Sequence, residues 1–260
     1  MDEQEIRSEV RRLARFHHAI DLPYGLSTHV PELSQTDIER TRLPNLLAHA
    51  WPAVLDACGG SLSGRRVLDV ACNCGGFSVE ATKSGADYVL GIDIVDKYVE
   101  QANFVKRALE LENVEFRKLA IEDIDPSDVG TFDVSFCFGI LYHLENPVSA
   151  MRKVADVTEH IMVVDTLLNP AHPAEPYWLM RTRGPVAPAA LRARRATTAL
   201  WLERRVCEFI PTARAVEELL RFLGFGHVEQ LEVTNAFEDR YHRQRRGTFI
   251  ATRSESGDGG

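Results

Sequence analysis

The sequence predicts an α/β fold of the doubly wound kind: a mostly parallel sheet of seven strands, a helical segment before it and an insertion after the fifth strand. Three observations predict it. From about residue 66, short β-rich runs alternate with helical ones, the pattern of βαβ units. A Gly-Gly turn, Gly75-Gly76, joins the first strand run to the first helical run. Two β-rich runs near the end, HVEQLEV and GTFIATR, read as a closing pair.

Each element follows in order. RVLDVA (66–71) is the first strand, and FSVEATKSGA is a helix stopped by Gly85. YVLGID (88–93) is the second strand. VDKYVEQANFVKRALELE is an amphipathic helix with Tyr98, Ala102, Val105 and Leu109 on one face. VEFRKLA, FDVSFCF and HIMVVDT supply three more strands, and TARAVEELLRFLGF is a late helix stopped by Gly224. Around this core, residues 1–60 form a helical cover whose middle, HHAIDLPYGLSTHVPE, is broken by Pro23, Gly25 and Pro31. Residues 61–166 form the cofactor-binding core, 167–210 a substrate lid rich in Pro, Arg and Trp, 211–253 the rest of the core, and 254–260 a disordered tail.

Composition narrows the function. A net charge of −8 argues against a surface devoted to nucleic acid, because phosphates are neutralised by Lys and Arg. Two local excesses run the other way. Residues 181–205 carry seven arginines against Glu203 alone, and Arg240, Arg243, Arg245 and Arg246 form a second knot; solvated helix faces or an anion-facing surface both fit. Five scattered cysteines in a chain of 260 residues speak for reduced thiols. No apolar run approaches the ~20 residues of a membrane span, and the charged N-terminus is unlike a signal peptide, so a cytoplasmic protein without membrane partners is expected.

The stretch LDVACNCGGFS (68–78) carries the chemistry. Gly75 and Gly76 permit close approach of the backbone to a ligand, and Asp69 is placed to hold the loop. The Gly-x-Gly-x-x-Gly spacing that meets a pyrophosphate is absent. Asp93, seventeen residues beyond Gly76 at the end of the second strand, is placed to accept hydrogen bonds from two ribose hydroxyls. Ribose recognition without a pyrophosphate cradle suggests S-adenosylmethionine. Cys72 and Cys74 lack both the two-residue gap and the second pair of a structural zinc site.

At these residues the sequence resembles the class I S-adenosylmethionine-dependent methyltransferases, with a Rossmann-like core. DVACNCGGFS, GIDIVDKYVEQANF and FDVSFCFGILYHLENP are similar to motifs of the tRNA wobble-uridine methyltransferase-like family and its small-molecule-modifying relatives, and RFHHAIDLPYGLST is similar to its N-terminal signature. The likeness covers roughly residues 15–165, and more loosely Phe209 to Val233. It implies that Asp69, Ala71, Asn73 and Gly75 shape the loop around the methionine part of the cofactor. Asp93 with Ile94 would hold ribose and flank adenine, Ile121 and Glu122 would contact adenine, and Phe138 with Gly139 would lie beside the sulfonium. Ala71 stands where the first glycine is usual, Cys74 at another small-residue position, and Ala120 where many members have Asp.

Methyl transfer from a sulfonium is an in-line displacement, and a hydroxyl acceptor must also lose a proton. His143, just after the fourth strand, is the candidate base, its usual pKa near ~6.5 suiting that task; a structural histidine is the plainer reading. Asp165, at the end of the fifth strand, suits orienting a substrate hydroxyl or, with a second acid, a hard divalent cation such as Mg; a helix cap is the plainer role. The metal ligands, if any, stay unknown. His17, His18, Asp21, Tyr24 and Thr28 of the N-terminal signature are expected to close over the site with Tyr142. Tyr177, Trp178, Trp201, Arg181 and Arg183 fit a polar or anionic substrate with a flat face, or else anchor the lid. The expected reaction is O-methylation of a small or oligomeric metabolite, a sugar or natural-product alcohol. A tRNA substrate, a catalytically silent binding protein and a homodimer stay open.

Overall fold

The computed structural model describes residues 1–32, 37–171, 174–183, 206–232 and 246–253. The chain opens on α1 (Glu3–Leu13), whose start is fixed reciprocally: the Asp2 carboxylate accepts the Glu5 N–H at 2.8 Å and the Glu5 carboxylate accepts the Asp2 N–H at 2.9 Å. Its end is held by Gln101, whose buried amide donates to the carbonyls of Leu13 and Arg15. A small antiparallel pair follows, β1 (Asp21–Leu22) and β2 (Leu26–Ser27), then α2 (Asp37–Ala57). The irregular middle of the N-terminal segment is therefore a two-stranded turn, too short to show the alternation from which strands are read.

The core then runs β3 (Arg66–Val70), α3 (Gly76–Lys83), β4 (Tyr88–Asp93), α4 (Asp96–Ala108), β5 (Val114–Lys118), α5 (Pro126–Val129), β6 (Phe132–Phe138), α6 (Pro147–Asp156) and β7 (Thr158–Leu167). After it come β8 (Trp178–Arg183), β9 (Val206–Pro211), α7 (Ala213–Phe222), β10 (His227–Gln230) and β11 (Arg246–Thr252). Seven strands form the main sheet in the order β10-β11-β7-β6-β3-β4-β5. The pairs from β5 to β7 are parallel, and β11 runs antiparallel to both β7 and β10. This is the expected mostly parallel doubly wound sheet. The chain leaves β3 toward β4 and β5, then returns to the other side at β6, so a crevice opens at the carboxyl ends of these strands.

Both faces of the sheet are covered, as parallel strands require. Successive residues go to opposite sides: Val67, Val89, Val134 and Phe136 pack with Ile6, Leu46, Val54 and Phe104 from the N-terminal segment and α4. Leu68, Leu90, Cys137 and Met162 pack with Met151, Val154, Val216 and Leu220 from α6 and α7. Helix α6 is absent from the sequence reading, although Pro147 at its first position and buried Ala150, Met151, Val154 and Ala155 are a legible helical pattern.

The described residues of the insertion include an antiparallel pair, β8 with β9, separate from the main sheet. Trp201 and Arg192, Arg194, Arg195, Arg204 and Arg205 lie outside the described residues, as do Arg240, Arg243 and Arg245 and the tail expected at 254–260. No helix among the described residues is long and apolar enough to cross a membrane.

Candidate functional site

The loop after β3 is shaped by three left-handed residues in five positions: Ala71 (φ 56°), Asn73 (φ 54°) and Gly75 (φ 82°). A side chain at such a φ costs about 1–2 kcal/mol, so the loop is over-determined by its neighbours. Those neighbours are visible. The Cys72 N–H donates to the Ile92 carbonyl at 2.9 Å, and the Gly75 N–H to the Cys72 carbonyl at 2.9 Å. Asp93 ties two turns together: one carboxylate oxygen accepts the Asn73 N–H at 3.0 Å, the other the Val95 N–H at 2.9 Å. Each oxygen keeps acceptor capacity beyond that bond, which is what a pair of ribose hydroxyls needs. At Gly75 a Cβ would lie 2.7 Å from the Phe116 ring, so both φ and space call for glycine.

Electrostatics divide the acids and thiols of this region. Asp69 is buried, accepts the Ser78 hydroxyl at 2.6 Å, and has its pKa pushed up to about 7 by desolvation. Burial also raises Asp93, against the backbone N–H groups that pull it down. Cys72 and Cys74 are buried, and loss of hydration raises Cys72 well above the usual thiol range and Cys74 to about 12. Both thiols are therefore neutral and sit in the loop as small, buried side chains. Tyr98, which the sequence places only on an apolar helix face, reaches this loop at the Asn73 side chain, and burial lifts its pKa to about 12.

The N-terminal signature divides. His18 is 4% exposed and sits on the loop, its Nδ1 accepting the Gly76 N–H at 3.2 Å. The His17 ring lies 5.5 Å from it. Buried Thr28 donates its hydroxyl to the His18 carbonyl at 2.7 Å. Asp21 is exposed, and Tyr24 is exposed with its hydroxyl toward the Met1 carbonyl.

At the neighbouring strand ends the remaining candidates gather. Phe138 closes β6 and stacks on Phe77 of α3 at 4.1 Å. Gly139 (φ 79°) donates its N–H to the Asp165 carbonyl at 2.7 Å. A short turn, Leu141–His143, follows, with Tyr142 buried, His143 half-buried and their rings 4.2 Å apart. Ile121 is buried and Glu122 exposed in the turn after β5, and Ile94 is exposed after β4. Tyr177 accepts the Asn169 amide at 2.8 Å and, with Trp178, is half-buried at the root of β8. Arg181 and Arg183 lie on β8, but their side chains are outside the described residues.

Asp165 is fully buried and engaged by β11: it pairs with Arg246 and accepts the Thr248 hydroxyl at 3.1 Å. Arg246, counted in the sequence with a basic knot, is a mostly buried ion-pair partner with its guanidinium 5.7 Å from the Tyr142 ring centre. Neither Arg246 nor Thr248 is legible as a site neighbour, because β11 is joined to β7 only by the fold. Asp133, Glu159 and His160 are the ligand-type side chains among the described residues that approach one another closely enough to share an ion. They lie at the amino ends of β6 and β7, opposite the crevice, and Asp133 is already paired with Arg65.

The chain is similar to known proteins in sequence and in fold. Residues 61–171 match the family described as methyltransferase domain. Ubiquinone biosynthesis O-methyltransferase of Neisseria meningitidis serogroup C is 25% identical over 159 residues, 61% of this chain and 62% of that protein. The enzyme of the same description from Bordetella avium is 37% identical over 99 residues, 37% of this chain and 39% of that one. The chain thus spans less than two thirds of the length of these curated relatives. Among solved structures, the N-terminal domain of EvdMO1 in the presence of SAH and D-fucose aligns with a TM-score of 0.65 at 18% identity, covering 97% of this chain and 96% of that one. Magnesium protoporphyrin IX methyltransferase (ChlM) from Synechocystis PCC 6803 with bound SAM aligns with a TM-score of 0.52 at 16% identity over 82% of this chain and 79% of that one. These structural likenesses establish a class I methyltransferase-type fold.

Proposed function

We propose that the protein is an S-adenosylmethionine-dependent methyltransferase that O-methylates a small-molecule hydroxyl, a sugar or a natural-product alcohol. The observation that carries this is Asp93, which joins the strained loop after β3 to the turn after β4, beside the point between β3 and β6 where the strand order reverses, with acceptor capacity to spare. The residues fit the cofactor: a left-handed, glycine-bearing loop for the methionine part, Asp93 and Ile94 for ribose, Ile121 and Glu122 for adenine, and Phe138 with Gly139 beside the sulfonium. When bound, that cofactor supplies an electrophilic methyl group.

The chain's own groups would do the rest. His143 stands after β6 on the crevice side and takes the proton from the acceptor hydroxyl; Tyr142, Tyr177 and Trp178 provide flat surfaces for an acceptor. Asp165 is proposed to act through its carbonyl, which fixes Gly139, while its carboxylate is neutralised by Arg246. That arrangement favours a route in which no divalent ion is needed at Asp165. The names of the curated relatives and the D-fucose in the EvdMO1 domain structure support a hydroxyl of a small molecule, and the net charge of −8 weighs against tRNA.

The test is turnover: purified protein with S-adenosylmethionine and a panel of sugars, phenols and aliphatic alcohols, read by mass spectrometry for the methylated product. A methylated hydroxyl is expected, with His143→Ala slower by about 10²–10⁴-fold at unchanged cofactor affinity. Wild-type rates in His143→Ala would remove the proposed base, and methylation confined to tRNA would replace the acceptor class.

A further inference from the structure

We infer that His18 is a positioning residue that latches the N-terminal segment onto the cofactor loop and supplies, from 58 positions away, the cap that α3 lacks. Helix α3 begins at Gly76 and is preceded by Gly75, which has no side chain with which to cap it. Gly76 N–H is one of the donors a helix leaves without an intrahelical partner, and the His18 Nδ1 accepts it at 3.2 Å. The approach is close enough that a Cβ at Gly76 would lie 2.6 Å from that nitrogen. Glycine at 76 therefore serves the imidazole as much as any ligand.

Three further contacts make the latch specific. The His18 backbone N–H donates to the Cys74 sulfur at 3.3 Å, which gives this buried thiol a role in the loop without ionising. Its carbonyl accepts the Thr28 hydroxyl at 2.7 Å, and the same oxygen of Thr28 accepts the Ile20 N–H at 2.9 Å, so the segment folds back on itself around His18. The His18 ring meets Phe77 edge-on with centroids 5.6 Å apart, and Phe77 stacks on Phe138 at the end of β6. One imidazole thus sets the N-terminal segment, the loop from Ala71 to Gly75 and the start of α3 relative to β6. That the loop holds S-adenosylmethionine rests on the function proposed above; the latch itself does not.

The experiment compares wild type with His18→Ala, His18→Asn and His18→Gln, by calorimetric titration with S-adenosylhomocysteine and by hydrogen exchange of the Gly76 amide in the free protein. Asn places an acceptor on Cγ, where Nδ1 is; Gln places it one bond further out. His18→Ala is expected to weaken binding about tenfold and to expose the Gly76 amide. His18→Asn is expected to restore both, and His18→Gln neither, a difference that general loss of packing does not produce. If His18→Ala does not fold, the Asn and Gln variants decide alone. Equal affinity and equal Gly76 protection in all variants, or Asn no better than Gln, overturns the latch. If wild type takes up no S-adenosylhomocysteine, the proposed function fails, and Gly76 protection by itself supports or overturns the latch.

Discussion

Asp93 acts twice, once toward the Asn73 amide and once toward the Val95 amide, so its loss both loosens the loop and removes the proposed ribose acceptor. Asp93→Ala is expected to weaken S-adenosylhomocysteine binding by at least about tenfold, and a calorimetric titration checks it. Asp69 gives a pH dependence whose sign is fixed. Its folded pKa, about 7, lies above the ordinary carboxylate value of 3.8, so the folded state holds the proton more tightly and the contribution to stability is fully present below that ordinary value. It is lost as pH rises through 7. Urea unfolding between pH 4 and 8 is therefore expected to show wild type losing stability relative to Asp69→Asn as pH rises; a constant difference contradicts it. Asp69 was legible because it lies near the end of a strand that runs into a glycine turn, and Asp93 because it ends the next strand. The tie between His18 and Gly76, and the approach of Tyr98 to Asn73, were not, because residue identity says nothing of which distant group a side chain meets.

Among the elements, the turn into α3 and the pairing of β7 with β11 hold the site. Gly75→Ala meets both an adverse φ and the Phe116 ring, and is expected to destabilise by about 1–3 kcal/mol in urea unfolding, with Phe116→Leu relieving only the steric share. Arg246→Met removes the ion-pair partner of the buried Asp165 carboxylate and is expected to cost about 3–5 kcal/mol; adding Asp165→Asn recovers part of that by removing the buried charge. Equal stability of the single and double variants contradicts this assignment. Strands with sustained apolar runs, such as FDVSFCF at Phe132–Phe138, were readable to the residue. The pair β1–β2 was not, since two residues carry no period, and the pair β8–β9 was not, since the Arg-rich sequence around it gives no strand alternation.

At the scale of the molecule, the doubly wound sheet brings the ends of β3, β4, β6 and β7 to one crevice, and the N-terminal segment is fastened to it by His18 and by Gln101 on α4. Alternation of strand and helix made that architecture legible, while the side on which each cover packs comes from contacts far apart in the chain. This crevice is the proposed seat of S-adenosylmethionine. Calorimetric titration of wild type and Asp93→Ala with S-adenosylhomocysteine, beside NADH as a dinucleotide control, tests this most directly. Saturable one-to-one binding of S-adenosylhomocysteine alone, weakened in Asp93→Ala, is the predicted result. No binding, binding indifferent to Asp93, or preference for the dinucleotide would contradict it.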